Sequence, residues 1–154
     1  MIHKVALVLL ATATPVSELR GGIPLGISLG LDPLLTLCIA IVTNAMLFFP
    51  ILLVLRLFYD GVLSRLQFFN RYLDSLRRKG KPKVSKYGFL GLALFVAIPL
   101  PVTGVYTASI LSWLFAMDWR KAFPAIALGV VIAGIIVLLI TLGTVVGMKF
   151  FALA

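Results

Sequence analysis

Charge is scarce in this sequence, and acidic charge is scarcest: 154 residues carry 14 Lys and Arg but only five Asp and Glu. Charged residues make up 12% and hydrophobic ones 62%, against about a quarter and about half in an average soluble domain. A compact soluble fold of this length cannot hide so much apolar surface. A soluble globular domain is therefore excluded, and lipid is the solvent. Histidine and cysteine occur once each, as His3 and Cys38. No Cys, His, Asp and Glu cluster with ligand spacing exists, so no metal is expected. A lone cysteine cannot form an intrachain disulfide, and Cys38, inside an apolar run, reads as packing. The chain has neither a P-loop nor a GxGxxG turn, so no nucleotide cofactor and no work driven by ATP bound to this chain is expected. No nucleophile–base pair is visible, so the chain does not read as an enzyme. The N-terminal apolar stretch lacks a small-residue cleavage site with a polar chain behind it. It reads as part of the fold and not as a signal peptide.

The basic residues that are present are unevenly placed. Arg56, Arg65, Arg71, Arg77, Arg78, Lys79, Lys81, Lys83 and Lys86 fall in one central segment, and Arg120 and Lys121 follow later, together 11 of the 14. The segment contains Phe68, Phe69 and Tyr72 but is too short to be a nucleic-acid-binding domain, so no nucleic acid partner is expected. Basic residues mark the cytoplasmic side of a membrane protein. That places residues 59–86 in the cytoplasm, both termini outside, and the protein in the cell membrane as a multi-pass chain.

A spanning helix needs about 20 apolar residues. Residues 5–16 and 22–31 are apolar but too short, and Glu18 and Arg20 of "TPVSELRGGIP" lie between them. Two short apolar pieces around a polar, Gly- and Pro-rich break predict a re-entrant helical hairpin over 5–31, unwound near the membrane midplane. Such backbone survives only where protein or a wet cavity surrounds it. A full span is expected over 33–58, opened by Asp32 as N-cap with Pro33 at the first helical position and bent near Pro50. Over 59–79, Val62, Leu66, Phe69, Leu73 and Leu76 recur at spacings of four and three. This predicts an amphipathic, basic helix at the interface, followed by the exposed loop "KGKPKVSK". The order then begins again: a second hairpin over 88–117, broken at Pro99, Pro101 and Gly104, and a last transmembrane helix over 119–148 opened by Asp118.

An offset of 86 lays Pro15 on Pro101, Val16 on Val102, Ser17 on Thr103, Leu25 on Leu111, Asp32 on Asp118 and Leu52 on Leu138. A hairpin returns to its own side and a single span crosses, so the second repeat starts on the opposite side from the first. The expected fold is all-α and integral to the membrane. It has two inverted repeats, 1–58 and 87–154, each a re-entrant hairpin plus one transmembrane helix, with the interfacial helix and basic loop of 59–86 between them. Inverted repeats with broken helices are an architecture of secondary transporters.

The strings "PVSELRGGIPLG" and "IPLPVTGVYTASILSW" resemble the small multi-drug export protein family, over almost the whole chain. That family is in turn distantly similar to the DedA superfamily of membrane transporters. The second resemblance implies two re-entrant hairpins. It also implies a role in moving polyprenyl-phosphate carriers or phospholipids, with proton coupling. This chain is shorter than typical DedA proteins, and its second hairpin carries no acid and no arginine. Only Glu18 and Arg20 carry over from the charged groups of that superfamily.

Two readings of the pair stay open. An ionisable group deep in a membrane is costly, so Glu18 and Arg20 neutralise one another or cap half-helix ends. In the functional reading they bind substrate. Helix N-termini point partial positive charge inward, with the second half-helices expected to begin after Gly21-Gly22 and after Gly104. Arg20 adds a fork suited to phosphate. Glu18, away from water, would take up and release protons as substrate comes and goes. Ser17, Gly21, Gly22, Thr103, Gly104 and Thr107 complete the expected binding site, with Ser109 offering a further hydroxyl. Tyr106 is a hydrogen-bond donor there or an interfacial anchor; Asn44 bonds the hairpin tip or joins helices. "GTVVG" at 143–147 fits a packing face for a homodimer. The leading function is a secondary transporter or flippase, proton-coupled, for an anionic amphiphile such as a lipid phosphate, with membrane lipids and protons as its other partners. The alternatives are a small multidrug exporter and a non-transporting scaffold.

Overall fold

In a computed structural model, residues 1–61, 75, 87–99 and 103–153 are described, with 60–61 and 148–153 as helical backbone only. They form α1 (Ile2–Ala13), α2 (Glu18–Ser28), α3 (Pro33–Met46), α4 (Phe48–Gly61), α5 (Tyr87–Ala97), α6 (Val105–Leu114) and α7 (Trp119–Leu153). The expected amphipathic helix and basic loop lie almost wholly outside the described residues, as do Pro101 and Val102.

Two stretches, Pro33–Tyr59 and Trp119–Gly147, are long and apolar enough to cross a membrane, at 27 and 29 residues. At 1.5 Å per residue each reaches about 40 Å, beyond the roughly 30 Å hydrocarbon core. Most of each stretch is unburied, with Leu53, Val54, Leu57, Leu139 and Ile140 all more than half exposed. Aliphatic surface of this kind suits lipid, and the regular structure among the described residues is all helical. Cys38, expected to pack, is instead exposed on α3. The first long stretch is interrupted at Leu47, between α3 and α4. Pro50, one turn later, cannot donate to the Met46 carbonyl and crowds it, so the break falls where the proline predicts.

Short helices fill the space beside the long ones. Thr14 precedes Pro15, a position driven out of the helical region; its φ of −80° and ψ of 140° end α1. The chain turns over residues 14–17 and returns as α2, so that Lys4 Nζ reaches the Leu29 carbonyl at 2.6 Å. Gly22 permits the close contact of these two helices, because a Cβ there would strike the Thr12 side chain. Likewise α5 ends at Ala97, just before Ile98-Pro99.

The offset of 86 holds for local hydrogen bonds. The N–H groups of Leu29, Gly30 and Leu31 donate to the carbonyls of Leu25, Ile27 and Gly26, each at 3.0 Å. Those of Phe115, Ala116 and Met117 donate to Leu111, Trp113 and Ser112 at 3.0, 3.0 and 2.9 Å. Both turns close through a residue in the left-handed region, Gly30 at φ 75° and Ala116 at φ 50°, the geometry of a Schellman-type helix stop. The next helix of each half is capped by aspartate. Asp32 Oδ1 accepts from Leu35 N–H at 2.9 Å and Asp118 Oδ1 from Arg120 N–H at 3.0 Å.

The long helices run antiparallel. Gly134 of α7 faces Leu37 of α3, and Phe123 of α7 stacks on Phe48 of α4 with centroids 5.7 Å apart. Adding 86 to Leu37 and Phe48 gives the positions of Phe123 and Gly134, so the offset exchanges one contact pair for the other. The short helices cross over correspondingly: α2 packs on α7 and α6 on α4, the latter with Tyr59 edge-on to Trp113 at 5.4 Å. A core of small and aliphatic residues joins all these helices, including Ile23, Ala40, Ala93, Ala108, Ala125 and Ile126. Alanine at a helix contact lets backbones approach closely.

Candidate functional site

The turn after α1 and the turn before α6 meet, and Glu18 and Arg20 lie at the junction. The sequence places both in an unwound tip with α2 starting after Gly21-Gly22; the structure corrects this. Helix α2 starts at Glu18 itself, the break is confined to residues 14–17, and Gly21 and Gly22 lie inside the helix. Pro15 and the pre-proline Thr14 suffice to reverse the chain. The glycines serve close packing: a Cβ at Gly21 would strike the Ser17 side chain, as one at Gly22 would strike Thr12. Neither glycine forms part of an open tip. The start after Gly104 holds, with Gly104 in extended conformation as N-cap of α6.

Glu18 is 6% exposed, with φ at 48°. A non-glycine residue there carries strain of about 1–3 kcal/mol. The reversal aims its side chain away from its own helix and toward α6. The carboxylate accepts the backbone N–H groups of Val105 and Tyr106, the first two residues of α6. These are among the four N–H groups that a helix start leaves without partners, and α6 has no side-chain cap of its own. The fit is close, because a Cβ on Gly104 would fall on the Glu18 carboxylate. Positions 18 and 104 are equivalent under the offset of 86, and the acid at the first occupies the space left by the glycine at the second.

Arg20 is half-buried and reaches the same turn. Its Nη2 donates to the carbonyl and to Oγ1 of Thr103, at 3.1 and 3.2 Å. Thr103 Oγ1 donates in turn to the Ile98 carbonyl at 2.5 Å. The guanidinium interacts with Glu18 through its charge but points its Nη2 at the partner turn. A guanidinium has five N–H donors; those on Nε and Nη1 have no protein partner among the described residues. Tyr106, the offset equivalent of Arg20, reaches the opposite way, its Oη donating to the Ala13 carbonyl at 2.5 Å. It is a donor across the junction and not an interfacial anchor.

Asn44 of α3 is 1% exposed and lies beside the Glu18 carboxylate. Its side-chain amide is a further hydrogen-bond partner of that carboxylate, at looser geometry. Ser17 is half-buried at the start of α2 without a capping bond. Thr107 is half-buried on α6 and takes no part in the bonds that join the two turns. Ser109 is turned away, its hydroxyl donating to the Val105 carbonyl of its own helix at 2.6 Å. The sequence brings forward Glu18, Arg20, Thr103, Gly104, Tyr106 and Asn44, and the structure gathers all six. It misses the Val105 N–H and the Ala13 carbonyl, which are backbone groups without a residue signature.

The sequence profile of one protein family, described as "Putative small multi-drug export protein", matches residues 18–136. No curated protein and no solved structure matches the chain. The matched segment begins at Glu18 and contains both long apolar stretches in large part.

Proposed function

The chain belongs to the small multi-drug export protein family, and from that premise we propose that it is a secondary transporter for an anionic amphiphile, with its site where the two turns meet. The observation that carries this reading is the state of Arg20. Its guanidinium is held in place by Thr103 through Nη2, while its remaining donors have no protein partner among the described residues. A guanidinium edge of this kind suits a phosphate. Glu18 does not cancel that preference, because its carboxylate is engaged by the start of α6, which adds partial positive charge of its own. Protonation of Glu18 would make the site more positive, so a proton and an anion would bind together.

The membrane arrangement is part of the proposal. Helices α1 and α2 form one re-entrant hairpin and α5 and α6 the other, entering from opposite faces, with residues 59–86 cytoplasmic. This is supported by the antiparallel α3–α4 and α7, by the contact pairs that exchange under the offset of 86, and by α1, whose 12 residues reach only about 18 Å. The family description favours a second reading, export of small drug-like compounds. A cationic drug would need the Glu18 carboxylate free, and two N–H groups already engage it.

Proteoliposomes carrying a fluorescent lipid phosphomonoester in one arm and a cationic fluorescent dye in the other test this. The phosphomonoester is expected to move, faster at acidic pH. Arg20→Lys keeps the charge but loses the planar fork, and flux should fall by about 10–100-fold, the size of one to two charge-assisted bonds. Movement of the dye alone would favour the drug-export reading. Unchanged phosphomonoester flux in Arg20→Lys would remove Arg20 from the site.

A further inference from the structure

The seam between α4 and α7 carries a groove that the proposed transport site does not use. Phe49, Leu52, Leu53 and Arg56 of α4 and Trp119 of α7 line a cavity of about 310 Å³. On α4 these residues are spaced by three, one and three, which puts them on one helix face. Phe49 packs on Phe123 of α7 with centroids 4.9 Å apart, so the two helices meet along the groove. From Phe49 to Arg56 the helix rises about 10 Å, and the lining changes from apolar to cationic over that rise. The cationic end is remote from Glu18. Arg56 follows Asn44, the α3 residue beside that carboxylate, at a helix rise of about 18 Å.

The cationic end is built like a headgroup site. Arg56 is exposed and makes no hydrogen bond or ion pair among the described residues. Arg120 holds its guanidinium over the Trp119 ring, 5.7 Å from the centroid, so a second cation stands at the rim. The nearby acid, Asp118, is turned to the start of α7, where its Oδ1 accepts the Arg120 N–H at 3.0 Å. Arg56 lies close to the end of the apolar stretch Pro33–Tyr59, and Trp119 opens the stretch Trp119–Gly147. Both therefore sit where an apolar helix leaves hydrocarbon, a level at which tryptophan is enriched. Basic pockets between transmembrane helices on the cytoplasmic side suit anionic headgroups. Below them Leu53, 58% exposed, offers an aliphatic wall to an acyl chain. The volume is at the small end for a ligand cavity, enough for a glycerol and the start of one chain. A second copy of this chain fits less well, because its packing would cover two guanidinium groups without supplying acceptors.

We infer that this groove binds an anionic phospholipid of the bilayer, with its phosphate between Arg56 and Arg120 and one acyl chain along Leu53, Leu52 and Phe49. The lipid comes from the leaflet on the side of residues 59–86. It bridges α4 and α7 at their shared end and is a bound partner, distinct from the cargo proposed for Arg20. The inference does not rest on the transport reading.

Tryptophan quenching in the full chain tests it. The chain has two tryptophans, and Trp113→Phe keeps a ring against Tyr59 while leaving Trp119 as the reporter. In bilayers of phosphatidylcholine, a small equal fraction of either phosphatidylglycerol or phosphatidylcholine carries bromine on its acyl chains, which quenches an adjacent indole. The phosphatidylglycerol should quench Trp119 with an affinity at least fivefold above that of phosphatidylcholine, about the factor that one basic residue contributes near an anionic surface. Arg56→Gln and Arg120→Gln should each weaken that preference by about fivefold. Lys121→Gln, outside the groove lining, should leave it unchanged. Native mass spectra of the chain with both tryptophans should show the same preference and the same loss in Arg56→Gln, which guards against a folding defect from Trp113→Phe. Equal quenching by the two lipids would overturn the inference. So would an equal loss in Arg56→Gln and Lys121→Gln, the mark of diffuse surface charge. A Trp119 that neither lipid quenches would mean that protein covers the groove, and would overturn it as well.

Discussion

Glu18→Ala should be among the most damaging single substitutions in this chain. It leaves the Val105 and Tyr106 N–H groups without their acceptor and Arg20 without the one negative charge that acts on it among the described residues. Each buried N–H left without an acceptor typically costs about 1–3 kcal/mol. Glu18→Gln separates shape from charge. The glutamine oxygen can still accept an N–H, so the loss should be about 1–2 kcal/mol, the difference between a charge-assisted bond and a neutral one. The amide cannot take up and release a proton, so flux should mostly stop and what remains should not vary with pH. Thermal melting in detergent with flux in proteoliposomes reads both effects. A Glu18→Gln protein with wild-type pH dependence would show that the acid does not couple protons.

Gly104→Ala should approach the same severity from the facing turn. The added methyl falls on the Glu18 carboxylate. The carboxylate is the end of a side chain, but it is buried and held by α6, so moving it aside breaks its bonds to Val105 and Tyr106. The expected loss is about 3–5 kcal/mol, for an uncompensated buried charge. Residues in contact are not additive, which provides a specific check. In a Glu18→Ala background the space is empty, and Gly104→Ala should then cost less than about 1 kcal/mol more. Equal destabilisation in both backgrounds would mean that the glycine serves backbone conformation and not the contact with Glu18. By contrast Gly143→Ala, with nothing within 4 Å of the added Cβ, should leave melting unchanged.

Much of the fold was legible because membrane helices announce themselves by length and composition. The spans opened by Asp32-Pro33 and Asp118 follow from apolar runs and capping chemistry, and the break at Leu47 from Pro50. The offset of 86 was legible from a handful of identities, and the hydrogen bonds at Gly30 and Ala116 follow it at positions where the residues differ. The exact start of α2 was not legible. Gly21 and Gly22 look like unwinding signals, but glycine also marks close helix contact, and only the neighbouring Thr12 and Ser17 decide between the two. The direction of Glu18 was hidden for another reason. Its partners are backbone N–H groups and a missing side chain at Gly104, which a sequence records only as the absence of a residue. The pairing of 18 with 104 nevertheless connects positions that the offset of 86 makes equivalent. Tyr106 and Arg20, reaching in opposite directions from equivalent positions, follow the same logic.

Whether the Glu18–Arg20 pair is the working part of a transporter or only a neutral joint between two turns is decided by the double variant Glu18→Gln, Arg20→Gln. It removes both charges together and keeps hydrogen-bonding groups of similar reach, so neither charge is left unpaired. Phosphomonoester flux in proteoliposomes is measured beside the wild type at matched protein and pH. If the pair binds anion and proton, the double variant melts close to the Glu18→Gln single but moves no phosphomonoester at any pH. Flux at the wild-type rate in the double variant would contradict the account and reduce the junction to a structural one.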